Sequence, residues 1–176
     1  TGSRHVVGCE YDYQANLVTH IMGNGTNTMS SDSTAPGSVA NFGFSGYCLN
    51  YFCATQYDAT NDILYFSDGP NLRSLVAPNT PVSNLLTTHF TAATDIYNFI
   101  VSLDSSQVFY TRIDGKLYCH PLTAGGVKTW CNDSDLGPTT GLSTIVKGPN
   151  QLTWKNSTTL LVNTYSAPAE IYQFDL

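Results

Sequence analysis

The sequence predicts an all-β chain built of repeated strand units, and three observations carry that expectation. The apolar runs are four to eight residues long, rich in Val, Ile, Leu, Tyr, Phe and Thr, and separated by Asn, Asp, Gly, Ser and Pro, which supply turn conformations. No stretch shows a sustained helical period with caps at both ends. Three segments also align with one another: Tyr57 to Phe66, Leu103 to Tyr110, and Trp154 to Val162. Each reads as strand, polar turn, strand. Asp58, Asp104 and Lys155 recur in them at steps of 46 and 51 residues. A period of this size indicates propeller blades or solenoid units, and strand-rich contents favour four-stranded blades.

In chain order, Ser3 to Asp12 and Asn16 to Ile21 read as the third and fourth strands, C and D, of a blade. Asn16-Leu17-Val18-Thr19-His20 parallels Asn84-Leu85-Leu86-Thr87-Thr88-His89, which makes His20 and His89 equivalent in this alignment. The first full unit places strand A near Phe52 to Tyr57, B at Ile63 to Ser67, C at Leu72 to Val76 and D at Val82 to Thr87. The second places A at Asn98 to Leu103, B at Val108 to Arg112, C at Lys116 to Pro121 and D at Val127 to Trp130. Asp68-Gly69 and Asp114-Gly115 mark the same B-to-C turn in both, where Asp-Gly readily supplies a tight hairpin. Gln151 to Trp154, Leu160 to Tyr165 and Glu170 to Leu176 then give A, B and C without a D.

These residues resemble an NHL-type β-propeller repeat. Val18-Thr19-His20-Ile21-Met22-Gly23-Asn24-Gly25-Thr26 matches its Gly-rich segment, and Tyr57-Asp58 through Leu64-Tyr65-Phe66-Ser67-Asp68 to Asn71-Leu72-Arg73-Ser74-Leu75 matches its blade core. The likeness is best over residues 4 to 90, weaker over 95 to 131, and weakest where Lys155 stands in the place of the blade aspartate. It implies a propeller, commonly of about six blades, and no single function.

The expected fold is thus a β-propeller-like array of four-stranded antiparallel blades with incomplete terminal blades, in a single domain over 1–176. Within it, 1–23 and 145–176 are parts of split blades, and 42–90 and 95–133 are whole ones. The strands number two, four, four and three, which closed blades of four cannot accommodate. An unpaired outer strand is a template for another chain, and strand donation is a known way to satisfy it. Other copies of the chain, as a closed homo-oligomer or a filament, or the rest of a longer chain, are the expected partners. The assembly residues on this reading are Val6, Val7, Tyr11, Leu17 and Val18 at one end and Ile171, Tyr172 and Phe174 at the other.

Composition points to an extracellular, secreted protein. Charged residues make up 11% of the chain, against roughly 25% in an average domain. Three sequons, at Asn24, Asn132 and Asn156, fall in expected loops or turns, where N-glycans are tolerated. Cys119 on strand C and Cys131 after strand D flank one hairpin and suit a bridge, and Cys48 with Cys53 closes a short loop. Cys9 is then left for an intermolecular bond, a free thiol or a buried one, with Cys9 to Cys48 as a competing pairing. No signal peptide is visible, and no apolar run approaches the roughly 20 residues of a membrane span.

Chemistry-bearing motifs are few. His20, His89 and His120 are the candidate metal ligands, as in propeller lyases, although the repeat places His20 and His89 at outer strands. Asp58, Asp68, Asp104 and Asp114 are candidates for acid-base or calcium work, but Asp at a strand end more often caps its own turn. No catalytic residue and no cofactor is expected. A net charge of −6 with seven basic residues excludes a phosphate-neutralising surface, so no nucleic acid is expected. The leading expectation is a non-enzymatic, glycosylated structural and interaction module. A metal-dependent lyase or lactonase fragment, or a sugar- or protein-binding propeller, is the alternative.

Overall fold

A computed structural model describes residues 8–12, 17–22, 54–76, 85–112, 114–123, 129–136, 151–163 and 171–176. The elements among them are strands throughout, in antiparallel sheets. The chain divides into two compact units, Thr1–Ala92 and Ala93–Leu176.

In the first unit, β1 (Gly8–Asp12) and β2 (Leu17–Met22) form a hairpin. A four-stranded meander follows, in the order β3 (Thr55–Asp58), β4 (Ile63–Asp68), β5 (Asn71–Val76) and β6 (Leu85–Thr91). This is the four-stranded arrangement the repeat predicts, with β3 and β6 running on past their expected ends at Tyr57 and Thr87. Its middle strands are buried without alternation, from Tyr65 to Asp68 and from Asn71 to Leu75. Neither face of them is left to water, as in strands covered on both sides. Leu72 and Leu75 are fully buried, and each such side chain contributes ~1.5–3 kcal/mol. The β4–β5 turn needs a residue in the left-handed region, and Gly69 supplies it at φ 62°.

The two hairpins of this unit share an irregularity. In β5–β6 the register steps from Leu72↔Phe90 to Arg73↔Thr88, so His89 is a bulge. In β1–β2 it steps from Gly8↔Met22 to Cys9↔His20, and Ile21 is the bulge. β1–β2 and β5–β6 therefore share one hairpin register. The equivalence of the histidines is corrected, because the bulge matches His89 with Ile21 and His20 with Thr88.

In the second unit, β7 (Ile96–Val101), β8 (Gln107–Arg112) and β9 (Leu117–Pro121) make one sheet. β10 (Gln151–Asn156), β11 (Thr159–Asn163) and β12 (Ile171–Asp175) make another. Phe109, Leu117 and Cys119 of the first sheet close a core with Leu160, Val162 and Phe174 of the second. Trp154 sits at the seam, edge-on to Phe109 at 5.7 Å, with its Nε1–H donating to the Val101 carbonyl at 2.9 Å.

Of the expected fourth strand at Val127 to Trp130, Val127 and Lys128 lie outside the described residues. Thr129 and Trp130 are in a turn, and the segment after them runs beside β9. The Asp133 N–H donates to the Cys119 carbonyl at 2.8 Å and the Leu136 N–H to the Leu117 carbonyl at 2.9 Å, with a single bridge between Tyr118 and Asp135. The Cys119–Cys131 disulfide, whose Cα atoms are 4.8 Å apart, ties the start of this segment to β9.

The β10–β11 turn also departs from the alignment. Asp58 pairs with Ile63 across a four-residue turn, whereas Asn156 pairs with Thr159 across two residues. A register shift between Trp154 and Asn156 absorbs the difference. Lys155 is thus not a substitute for the blade aspartate, because Asn156 takes that place one residue later.

Candidate functional site

Three of the four candidate aspartates close their own turns. Asp58 Oδ1 accepts from the N–H groups of Thr60 and Asn61 at 2.9 and 3.2 Å. Asp104 accepts from the Ser102 hydroxyl at 2.6 Å and from both N–H and hydroxyl of Ser106. Those bonds, the one from Ser102 foremost, hold its carboxyl below the usual carboxylate range. Asp114 Oδ1 accepts the Lys116 N–H at 3.1 Å. Burial pushes the Asp114 carboxyl up, but hydrogen bonds from Tyr118, Lys116 and Arg112 outweigh it and the net shift is downward.

Asp68 does something the sequence did not disclose. Its carboxylate is fully buried, 3.1 Å from Arg73 Nη1, and the arginine side chain is 1% exposed. A polar side chain inside an all-buried strand pair was the signal, since such a charge needs a partner.

The histidines are placed separately. His89 Nε2 lies 2.8 Å from the Ser74 hydroxyl, and its ring tilts against Tyr65 at 5.7 Å. His120 Nδ1 lies 2.7 Å from Asp133 Oδ2. His20 lies on β2, where the backbone alone is described. Among the described residues, no group of three or more His, Cys, Asp and Glu side chains is placed to hold a metal.

The densest polar arrangement surrounds Asp133. Tyr110 and Tyr118 face each other across β8 and β9, their rings stacked at 5.3 Å. The Arg112 guanidinium lies 4.1 Å above the Tyr118 ring and 2.6 Å from Asp114, to which the Tyr118 hydroxyl also donates at 2.7 Å. The Tyr110 hydroxyl donates to Asp133 Oδ1 at 2.9 Å, opposite His120 on the other carboxylate oxygen. Lys116 pairs with Asp135 at 3.1 Å. Burial first, and the Asp133 carboxylate second, push the Tyr110 phenol far above its ordinary value. Burial and then Asp114 do the same to Tyr118. Both phenols therefore stay protonated donors at neutral pH. Asp133 holds this position in the left-handed region, at φ 64°, which Asp tolerates better than most residues. The cluster clasps the disulfide-tied segment to the sheet. Sequence reasoning missed Asp133, and the only sign was its place two residues after a bridged cysteine.

Two predicted glycan sites are described, and both Asn132 and Asn156 are exposed. Asn132 Oδ1 accepts the Ser134 N–H at 3.2 Å. Asn156 Oδ1 accepts both the N–H and the hydroxyl of Thr158, at 2.9 and 3.1 Å. Asn24, Cys48, Cys53, Val6 and Val7 lie outside the described residues, and for Cys9, Tyr11, Leu17 and Val18 only the strand backbone is described.

The last candidate is the outer strand β12, which is hydrogen-bonded to β11 on one side. Of its predicted assembly residues, Phe174 is buried in the core of the unit and Tyr172 packs against that core. Ile171 projects outward, 71% exposed. Gln173 on the same strand accepts a bond from Lys155 at 2.7 Å and reaches Asp175. Among the described residues the sheet ends at β12 with three strands, while the β3 to β6 sheet has four.

No family model matches the chain, and no curated protein matches it. Among solved structures, Hsv2 of Kluyveromyces lactis is similar over 69% of this chain at 10% identity, with a TM-score of 0.40. The likeness spans 46% of that protein, less than half its length.

Proposed function

We propose that the chain is a non-enzymatic extracellular structural and interaction module, a glycosylated propeller-like subunit whose open sheet edge is completed by a strand from a neighbouring copy. The observation that carries this reading is the outer edge of β12. A sheet edge exposes N–H and C=O groups in a row, and soluble proteins cover, charge or pair such edges. Addition of a strand satisfies those groups and extends the core that Tyr172 and Phe174 already line. Repetition of the contact builds a closed ring or, where the rotation does not close, a filament.

One further observation supports the extracellular part. The Cys119–Cys131 bridge suits an oxidising compartment.

The test is the mass of the native particle, measured by light scattering across a concentration series. The expected result is a discrete multiple of the glycosylated chain mass, or an open-ended distribution for a filament. A stable monomer at every concentration would sink self-assembly.

A further inference from the structure

We propose that Asn156 and Asn132 are unequal acceptors of an N-linked glycan, with closure of the Cys119–Cys131 bridge withholding Asn132. This rests on the secretory reading above. The co-reactant is an oligosaccharide carried on a lipid pyrophosphate. In the transfer, Nδ2 of the asparagine carboxamide bonds to the anomeric carbon of the sugar. The bond from that carbon to the pyrophosphate oxygen breaks, the lipid pyrophosphate leaves with the electron pair, and the amide nitrogen gives up one proton.

Both side chains are posed alike. Each Oδ1 is turned to the residue two positions on, Ser134 or Thr158, which leaves Nδ2 on the far side of the carboxamide. The difference lies in what holds the flanking backbone. A transferase must enclose residues on either side of the acceptor, so those residues have to be freed from other structure.

Asn132 is flanked by two anchors. Cys131, immediately before it, is 3% exposed and bonded to the fully buried Cys119. Asp133, immediately after it, gives its N–H to Cys119 and its carboxylate to Tyr110 and His120. Freeing the sequon would break a covalent bond and this cluster together. The bridge spans only 12 residues, and short loops close at small entropic cost. It can form soon after Cys131 is made.

Among the described residues Asn156 has no covalent or buried anchor beside it, only its ladder pairing with Thr159, the Leu176 N–H donating to the Thr158 carbonyl at 2.8 Å, and the exposed Lys155 bond to Gln173. It is the last residue of β10, beside a register shift and before a two-residue turn whose members are exposed. Hairpin ends of this kind open at low free energy. The nearest cysteine is Cys131, 25 residues upstream.

The experiment expresses the full chain in a secreting eukaryotic cell and reads site occupancy by peptide mass spectrometry after enzymatic deglycosylation in heavy-oxygen water. Asn132→Gln and Asn156→Gln chains confirm each assignment. In the native chain Asn156 is expected to be filled in most molecules and Asn132 in a minority. In the Cys119→Ser/Cys131→Ser chain Asn132 occupancy rises severalfold while Asn156 is unchanged. Because that variant loses stability, the native sequence is also made under a membrane-permeant thiol reductant, with the same rise expected. Equal filling of both sites with the bridge formed overturns the proposal and leaves the secretory reading standing. The proposal falls in the same way if neither the variant nor the reductant raises Asn132. Empty sites throughout overturn both.

Discussion

At the scale of single residues, the side chains that matter most are those committed to a partner. Asp68 and Arg73 are removed from water together, and deleting one leaves the other charge uncompensated. Asp68→Ala is therefore expected to cost ~3–5 kcal/mol in urea unfolding, whereas replacing both by Leu and Met costs far less. Equal losses from the single and double changes would show that the pair is not coupled. Asp104 offers a check by pH. Its carboxyl is held below the usual range by Ser102 and then Ser106, so the unfolded chain binds the proton more readily. The resulting stability is present above the ordinary carboxylate value, about 3.9, and is lost as pH falls through the lowered one. The stability gap between native chain and Asp104→Asn should shrink in that acid window. A gap that stays constant there would assign the effect to hydrogen-bond geometry rather than charge.

At the scale of elements, the Asp133 segment is held to β9 by a bridge and a cluster in place of a full strand ladder. Breaking the bridge by Cys119→Ser/Cys131→Ser removes a short-loop constraint worth ~3 kcal/mol. Its loss should be visible as a lower urea midpoint, and an unchanged midpoint would make the cluster sufficient by itself. Much at this scale was legible in the sequence. Strands β4, β5, β8 and β9 follow from β-branched and aromatic runs ended by Asp-Gly, and Gly69 and Gly115 are both in the left-handed region. The Cys119–Cys131 pairing follows from two cysteines flanking one hairpin. What could not be read was register. Lys155 aligns with Asp58 without a gap, yet a bulge moves the turn cap to Asn156. Thr129 and Trp130, expected at the end of a fourth strand, are in a turn, and the disulfide ties the residues after Cys131 to β9. Asp133 was hidden because its value comes from Tyr110 and His120, 23 and 13 residues away.

At the scale of the whole molecule, the proposed assembly turns on one edge. Ile171 is outward-facing and exposed on β12, outside the packed core, so a charge placed there is tolerated by the fold. Ile171→Lys is expected to leave the unfolding midpoint nearly unchanged and to shift the native particle toward single chains, since edge lysines oppose strand addition. Large particles that persist in this variant would place the contact elsewhere. The paired bulges at Ile21 and His89 carry a different consequence. Of the eleven residue positions aligned between the two hairpins, only Leu17 with Leu85 and Thr19 with Thr87 are identical. The shared offset is therefore a feature of the backbone register and not of a common set of side chains. Two hairpins with one offset turn their outer strands by the same local twist, because a bulge bends the strand that carries it.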